Sequence, residues 1–289
     1  MLKKKILDYG KMIKFPHTVF ALPFALSAVV LAWRTHVPSA WELFLILIAM
    51  VGARSAAMGF NRIVDADIDR KNHRTAIREI PSGVLTRFQA LIFVGASSLM
   101  FTGAAALLSP LCFWLSIPVL GLLFVYSYTK RFTALCHLVL GFVISLAPVG
   151  AWVAVTGTLD WGVIFLAAAL GCYIAGFDIL YACQDIDFDR EQGLFSLPVR
   201  LGAARAMQVS TLLHILFLAF LLGVYLRFDM HAVFLFFWAI IGVLIVFEHR
   251  LVRPDDLSRI DVAFFHVNSA VSVLLFAGIL TEAFFRGGA

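Results

Sequence analysis

The chain has 289 residues, of which 62% are apolar and 14% are charged. This balance excludes an ordinary soluble globular domain and is typical of a polytopic membrane protein. The formal net charge is +5, but the basic residues are scattered over short loops and no soluble domain presents them, which argues against a nucleic-acid-binding protein.

The first residues carry a lysine cluster, Lys3 to Lys5, that is similar to the start of a secretory signal. No short apolar core ending in a small-residue cleavage site follows before the first full-length span, so we expect no cleaved signal. Four cysteines lie in or beside apolar segments, without the spacing of a zinc site. We expect them to be packing residues: Cys112, Cys136, Cys172 and Cys183.

Several segments are long enough to cross a hydrocarbon core, which takes about 20 apolar residues. They lie near 15–33, 41–64, 87–108, 111–128, 133–156, 161–183, 206–226, 230–247 and 262–285. We therefore predict an all-α polytopic membrane protein with nine transmembrane helices, forming a single transmembrane domain over residues 1–289.

Lysine and arginine test this count, because they collect in the cytoplasmic loops of membrane proteins. When successive loops are assigned alternately to two sides, 19 of the 23 basic residues share a side with the N-terminus. They are Lys3, Lys4, Lys5, Lys11, Lys14, Arg62, Arg70, Lys71, Arg74, Arg78, Arg87, Lys130, Arg131, Arg190, Arg200, Arg205, Arg250, Arg253 and Arg259. This division predicts a cytoplasmic N-terminus in the inner (plasma) membrane.

Two dense acidic motifs close the second and the sixth span. In the first, Asn61, Asp65 and Asp69 recur every four residues, so in a helix they share one face and are stacked about 6 Å apart. The same spacing reappears in Asp185 and Asp189. A single motif is explained as well by a solvated helix end balanced by nearby arginine and lysine. Two matching motifs favour a function that both serve.

The two motifs also indicate an internal repeat. Asp65 and Asp185 are 120 residues apart, which corresponds to four spans, so the two halves run in the same direction through the bilayer. We predict a pseudo-repeat of about 1–130 and 131–260, followed by a final helix. Both motifs fall on the cytoplasmic side, beside the long polar loops 65–86 and 184–205, and we expect them to face each other.

The acidic motifs offer only oxygen ligands, which suit Mg²⁺. Facing carboxylates repel one another, so a cation must lie between them, and Mg²⁺ with a diphosphate satisfies this charge requirement. The basic residues expected to contact diphosphate oxygens are Arg74, Arg78, Lys130 and Arg131. For Lys130 and Arg131, the cytoplasmic excess of basic residues is an equally good explanation.

Arg54 places a full charge within an apolar span, which costs several kcal/mol unless the side chain faces a polar cavity or a partner. It lies seven residues before Asn61, two helical turns deeper on the same face. Its partner is expected to be an anionic substrate group or, alternatively, Asp178 in a structural salt bridge. Asp178 itself lies seven residues before Asp185 on the sixth span.

Other polar residues in the spans have weaker functional signals. His137, His214 and His266 each lie in an apolar span, where a lone histidine is expected to be a hydrogen-bonded packing residue. Asn268, close to His266, is a further candidate to line the same cavity as Arg54.

The sequence resembles the UbiA-type polyprenyltransferases, integral membrane enzymes that attach isoprenoid chains to aromatic acceptors in quinone biosynthesis. The first family motif, N-D-x-x-D-x-x-x-D, appears from Asn61 to Asp69, with Arg62 in place of the aspartate that many members have. The second appears as Asp178-x-x-Tyr181-x-x-Gln184-Asp185-x-x-x-Asp189. A third stretch, Y-x-x-x-K-R-x-T, is matched by Tyr126, Tyr128, Lys130, Arg131 and Thr133.

The resemblance implies a bundle of nine helices around a central cavity and a Mg²⁺ cofactor. The residues taken as metal ligands are Asn61, Asp65, Asp69, Asp185 and Asp189. The catalytic residues are taken to be Asp65, Asp69, Asp185, Asp189 and Asp178, with Asp178 orienting or deprotonating the acceptor or serving a metal. The substrate-binding residues are taken to be Arg54, Asn61, Arg74, Arg78, Lys130, Arg131, Tyr126, Tyr181, Gln184 and Asn268.

The implied activity is Mg²⁺-dependent transfer of a polyprenyl group from its diphosphate to an aromatic acceptor. The stretches 14–24 and 264–268 are similar to the 4-hydroxybenzoate polyprenyltransferase-like subgroup, which also includes proteins assigned to the futalosine route to menaquinone. The competing class is a transporter of a divalent cation or a phosphate compound. It is disfavoured because transporter sites usually lie near the bilayer midplane, whereas these acidic residues crowd one edge.

Overall fold

The computed structural model describes residues 2–287, and the elements it contains are helical. The α-helices are α1 (Leu2–Met12), α2 (Leu22–Ala32), α3 (Ala40–Lys71), α4 (Arg87–Leu108), α5 (Pro110–Val125), α6 (Cys136–Thr156), α7 (Trp161–Ala182), α8 (Ile186–Glu191), α9 (Leu197–Leu201), α10 (Ala203–Arg227), α11 (Ala232–Leu251) and α12 (Asn268–Gly287). Tighter 3₁₀ turns occupy Phe15–Phe20, Tyr126–Arg131 and Cys183–Asp185, and a π-helical turn, Val262–Val267, precedes α12.

Within the described residues, nine helical segments are long and apolar enough to cross a membrane. The prediction of nine spans in an all-α multi-pass membrane protein is confirmed. The main difference in bounds concerns α3, which continues through the first acidic motif to Lys71. Its 32 residues correspond to about 48 Å at 1.5 Å per residue, against a hydrocarbon core of about 30 Å. The helix therefore extends well beyond one bilayer thickness.

Several helices begin at residues whose side chains cap the first turn. Ser39 Oγ accepts from the backbone N–H of Glu42, and the Glu42 carboxylate accepts from the Ser39 N–H, so α3 begins with a capping box. Thr86 and Gln89 form the same arrangement at α4. Asp160 caps α7 by accepting from Gly162 N–H at 2.7 Å. These caps set where the long apolar helices begin after their loops.

The chain divides into two compact units. The first contains Met1–Thr18 and Ser39–Thr129. In it, α3 packs along α4, and α5 packs against both. A Cβ atom on Gly52 would lie 2.8 Å from the backbone nitrogen of Phe101, so α3 and α4 approach too closely for a larger residue at this crossing.

The second unit contains Val19–Pro38 and Lys130–Ala289. Its central helix is α7, which packs against α6 and α10 and belongs to the most buried of the nine spans. Helix α2 packs against α6 and α12, and α11 packs against α12. Gly141 of α6 meets α7 so closely that an added Cβ would lie 2.2 Å from the carbonyl oxygen of Gly171.

The second polar loop, predicted over 184–205, is largely helical. It contains the short helices α8 and α9, and Ser196 Oγ caps α9 by accepting from Val199 N–H. Gly193 and Pro198, which the sequence presents as interruptions, lie at helix ends. Gly193 has φ of +66° just beyond α8, and Pro198 lies in the first turn of α9, where its missing N–H is not needed.

Candidate active site

The first acidic motif lies on a continuous helix, as its spacing predicts. Asn61, Asp65 and Asp69 follow one another along α3, and Asn61 Nδ2 donates to Asp65 Oδ2 at 3.3 Å. Asp65 is 3% exposed and Asp69 is 4% exposed, so two carboxylates are buried near the end of a long apolar helix. Burying ionised carboxylates is costly unless cations or hydrogen-bond donors accompany them.

The segment after α3 folds back so that a guanidinium reaches the acidic motif. Arg78 Nη1 donates to both carboxylate oxygens of Asp69, at 2.7 and 2.8 Å. The turn is held by Thr75 Oγ1, which donates to the Asp69 carbonyl, and by Asn72 Oδ1, which accepts from the Arg74 N–H. A residue predicted to bind diphosphate is thus in direct contact with a residue predicted to bind the metal.

Two other arginines of α3 have different surroundings. Arg62, which is 5% exposed, donates from Nε to the Met12 carbonyl at 3.0 Å and so connects α3 to the end of α1. Arg54 donates from Nη2 to the Lys14 carbonyl at 3.3 Å, while its buried Nε has no hydrogen-bond partner among the described residues. Arg62 therefore has a structural contact, whereas the Nε–H of Arg54 can still donate a hydrogen bond.

The second acidic motif differs from the first in geometry. α7 ends at Ala182, the chain tightens into the 3₁₀ turn Cys183–Asp185, and Asp189 lies in α8. Because a 3₁₀ turn has three residues rather than 3.6, Asp185 and Asp189 do not continue the α7 face in register. The expected copy of the α3 arrangement, including the Asp178-to-Asp185 spacing, is wrong in this respect. Gln184 Nε2 donates to the Tyr181 carbonyl within the same turn, at 3.1 Å.

The predicted basic stretch is held next to the second polar loop. Tyr126, Lys130 and Arg131 all belong to one 3₁₀ turn, with Tyr126 in the first unit and the two basic residues in the second. The carbonyl of Lys130 accepts from the Phe195 N–H at 2.7 Å. The backbone that carries Lys130 is thereby fixed to the segment between α8 and α9.

Asp178 has a histidine partner. His137 Nδ1 lies 2.7 Å from Asp178 Oδ2, and the histidine side chain is 6% exposed while that of Asp178 is 27% exposed. The sequence suggested only a packing role for His137, because nothing in a single chain links two residues 41 positions apart. Tyr181, one turn beyond Asp178, packs its ring on Phe264 at 4.2 Å between centroids.

Asn268 belongs to a buried hydrogen-bond network that the sequence did not predict. It is fully buried, Oδ1 accepts from Tyr173 Oη at 2.7 Å, and Nδ2 donates to Glu248 Oε1 at 3.1 Å. Its side chain thus connects α7, α11 and α12, and both ends of its amide are bonded within the protein, which argues against the predicted contact with substrate. Glu248 was missed, although a carboxylate in an apolar span is itself a signal of a polar partner.

Comparison with known proteins agrees with this arrangement of motifs and spans. The profile of the UbiA prenyltransferase family matches residues 21–270, which is most of the chain. The chain belongs to the UbiA prenyltransferase family.

Individual relatives cover most of the chain as well. A 4-hydroxybenzoate octaprenyltransferase of Vibrio atlanticus is 30% identical over 239 residues, which are 81% of this chain and 83% of that protein. A UbiA homologue from Aeropyrum pernix, solved in its apo form, has a TM-score of 0.83 and 32% identity over 92% of this chain and 98% of that one. A UbiA homologue from Archaeoglobus fulgidus, solved with GPP and Mg²⁺ bound, has a TM-score of 0.70 and 17% identity over 95% and 99% of the two chains.

As a UbiA family member, this multi-pass membrane protein is a prenyltransferase. Its acidic motifs present oxygen donors, the ligand type that Mg²⁺ prefers. In the part of the chain that the structure describes, no three His, Cys, Asp or Glu side chains converge into a ready-made metal cage. The donor set still fits Mg²⁺, which keeps several waters and commonly binds through one or two carboxylates together with substrate phosphates.

Proposed function

We propose that this UbiA family member transfers a polyprenyl group from a polyprenyl diphosphate to an aromatic acceptor in quinone biosynthesis, in a Mg²⁺-dependent reaction with 4-hydroxybenzoate as the acceptor. The observation that carries the proposal is the buried motif on α3, where Arg78 contacts Asp69 beside Asn61 and Asp65. The name of the Vibrio relative and the GPP and Mg²⁺ of the Archaeoglobus homologue support it.

The metal would be held by oxygen ligands from the two acidic motifs, Asn61, Asp65, Asp69, Asp185 and Asp189. When bound, Mg²⁺ supplies positive charge that stabilises the diphosphate as a leaving group. Arg74, Arg78, Lys130 and Arg131 add donors for diphosphate oxygens, and arginine can bind them in a bidentate manner. Tyr126, Tyr181 and Gln184 remain proposed substrate contacts on the family motifs alone.

Arg78 has two competing uses in this scheme. Its Nη1 compensates the charge of both Asp69 oxygens. If Asp69 bound a metal, the same guanidinium would be available to a diphosphate. Asp69 would then be paired with a positive charge in either case, which matters because the residue is 4% exposed.

Arg54 is the proposed contact for the acceptor's carboxylate. Its Nε is buried and without a hydrogen-bond partner among residues 2–287, and it lies two turns before Asn61 on α3. A carboxylate would satisfy this donor and the charge of the guanidinium together. A futalosine derivative can offer a similar anionic group, so a prenyltransferase of the futalosine menaquinone pathway is the second candidate.

The chain's basic residues also support an orientation. The proposal places the protein in the inner membrane, with the N-terminus and both polar loops in the cytoplasm, because lysine and arginine concentrate on that side. The lipid bilayer would hold the polyprenyl chain, while the charged ends of both substrates would enter from the aqueous side.

The test uses purified protein in liposomes with Mg²⁺ and a polyprenyl diphosphate. 4-Hydroxybenzoate, a futalosine derivative and a dihydroxynaphthoate are offered in turn, and the lipid product is identified by mass. We expect a prenylated 4-hydroxybenzoate that disappears in EDTA. Asp65→Ala and Asp185→Ala should each lower kcat by about 100-fold or more, as expected for losing a group that stabilises transition-state charge.

Asp67→Asn is the matched control, because Asp67 is an exposed residue of the same helix that pairs with Arg87 at the surface. It should retain full activity. Activity that survives EDTA, or full activity of Asp65→Ala, contradicts the proposal. Prenylation of the futalosine derivative alone selects the second candidate, and flux of a divalent cation without any prenyl transfer selects the transporter.

A further inference from the structure

We propose that His137 is a positioning residue for prenyl transfer: it orients the Asp178 carboxylate so that the carboxylate takes the proton released by the aromatic acceptor. The proposal rests on the proposed function, because it assigns a proton acceptor within that reaction. It adds a residue that the family motifs do not contain, since His137 lies outside all three stretches that carry the resemblance.

The geometry of the pair is that of a directed hydrogen bond. His137 Nδ1 and Asp178 Oδ2 are 2.7 Å apart, the short distance typical of a hydrogen bond to a charged group. An ionised carboxylate can only accept, so towards ionised Asp178 the Nδ1 nitrogen carries the proton and donates it.

The imidazole is fixed by burial. Its ring is 6% exposed, Nε2 is buried without a hydrogen-bond partner among the described residues, and Nδ1 is held by Asp178. Gly141, one turn further along α6, brings the α6 backbone close to that of α7. The histidine therefore reaches Asp178 from a rigid helix crossing.

Asp178 itself is placed to meet a substrate. Its side chain is 27% exposed, whereas its neighbours Phe177 and Ile179 are buried, and its Oδ1 makes no hydrogen bond within residues 2–287. The rings of Phe177, Tyr181 and Phe264 pack together beside it, at 5.3 Å and 4.2 Å between centroids. A planar aromatic acceptor can pack against these rings.

The proposed reaction breaks one C–O bond and one C–H bond and forms one C–C bond. The C–O bond of the allylic diphosphate breaks, and its electron pair leaves with the diphosphate. A π pair of the acceptor ring forms the new C–C bond. The C–H bond at that ring carbon then breaks, its electrons restore the aromatic ring, and the proton goes to Asp178 Oδ1. His137 keeps donating to Oδ2 and is chemically unchanged.

Few other ionisable groups compete for this role. α6 packs against α7 and α2, and α2 has no ionisable side chain. Cys136 lies beside His137 on its own helix, and a thiol is uncharged at neutral pH. On α10, which also packs against α7, the buried His214 is bonded instead to His249 and to the Tyr173 carbonyl. The remaining groups on α7 and the segments packed against it are Cys172, Tyr173, Tyr181, Cys183 and the proposed metal ligand Asp185, and the exposed Arg200, Arg205, Arg227 and His266.

The experiment compares His137→Ala with His137→Asn in liposomes, measuring kcat and KM. Removing the donor in His137→Ala should lower kcat by about 10- to 100-fold, from the usual strength of a hydrogen bond to a charged group. The KM for the polyprenyl diphosphate should stay unchanged. His137→Asn keeps an N–H donor near the position of Nδ1 and should recover most of the rate.

His231→Gln is the matched control, since His231 also bonds a carboxylate, Glu282 Oε1 at 2.9 Å, but at the start of α11. It should leave kcat unchanged. An unchanged kcat in both His137 variants overturns the proposal, and so does an equal loss of kcat in both. If the wild type transfers no prenyl group at all, the proposed function fails instead. If His137→Ala does not fold, the kcat of His137→Asn decides, because a large loss of rate there contradicts the proposal.

Discussion

Two arginines of α3, Arg54 and Arg62, have different roles although both contact the N-terminal segment. Arg54 and Arg62 both donate to backbone carbonyls of the N-terminal segment, at Lys14 and Met12. Arg62 uses its Nε in this contact, whereas the Nε of Arg54 is left without a partner among the described residues. The contact of Arg62 with the Met12 carbonyl links α3 to α1 and gives this residue a structural role.

At this scale we predict that Arg54→Gln weakens binding of the carboxylated acceptor. The KM for 4-hydroxybenzoate should rise by about 10- to 100-fold, because a charge-assisted hydrogen bond worth about 1.5–3 kcal/mol is lost. Transfer to an uncharged phenolic acceptor should change little, and steady-state kinetics with both acceptors separate the two effects. Arg87→Gln, which removes an exposed pair with Asp67, is the control. An unchanged KM for 4-hydroxybenzoate would exclude the role given to Arg54.

The crossing of α6 and α7 is the element that decides the geometry around Asp178. Gly141 faces the Gly171 carbonyl at a distance that only hydrogen can occupy, so the two helices touch through their backbones. His137 lies one turn before Gly141 on α6, and it bonds Asp178 of α7 at 2.7 Å. A close helix crossing and a hydrogen bond between side chains thus occur one turn apart.

At the scale of this element, Gly141→Ala should lower the apparent Tm and the rate of prenyl transfer. Overpacking of this kind destabilises by about 1–3 kcal/mol, because the methyl group forces the helices apart. Gly150→Ala on the same helix is the control, since nothing lies within 4 Å of its Cβ and alanine is the better helix former. Thermal unfolding in detergent is the measurement. Equal Tm values for the two variants would show that the crossing tolerates a methyl group.

The whole molecule is a multi-pass membrane protein whose polar segments are unequal in length. The turns 157–160 and 228–231 are short, whereas 72–86 and 183–202 are longer and carry the proposed contacts Arg74, Arg78, Asp185 and Asp189. The asymmetry in lysine and arginine parallels this difference in length. In the proposed function, this is the aqueous side that receives the charged substrates.

For the whole molecule we predict that Ser82 faces the cytoplasm and Thr158 the opposite side. In a variant whose four cysteines are replaced, Ser82→Cys should react with a membrane-impermeant maleimide only in inside-out vesicles. Thr158→Cys should react in intact spheroplasts. The readout is labelling measured by mass shift, with detergent-opened membranes as the control in which both react. Reversed labelling would invert the orientation proposed for the active site.

Much of the fold was predictable because local hydrophobicity decides it. The nine spans follow from runs of apolar residues, since a chain in a bilayer must satisfy its backbone hydrogen bonds within each segment. The alignment of Asn61, Asp65 and Asp69 was also predictable, because residues four positions apart share one face of a helix. The 3₁₀ turn before α8 was not predictable, because a spacing of four residues does not reveal where a helix tightens.

The sequence by itself determined the class of the protein, the number of its spans and the acidic motifs that identify its family. Only the tertiary structure paired His137 with Asp178, seated Arg78 on Asp69 and placed Asn268 in a buried hydrogen-bond network rather than in a substrate site. The physical reason is that helix formation and membrane insertion depend on neighbours along the chain. The partner of a buried polar group depends on which helices cross and how closely.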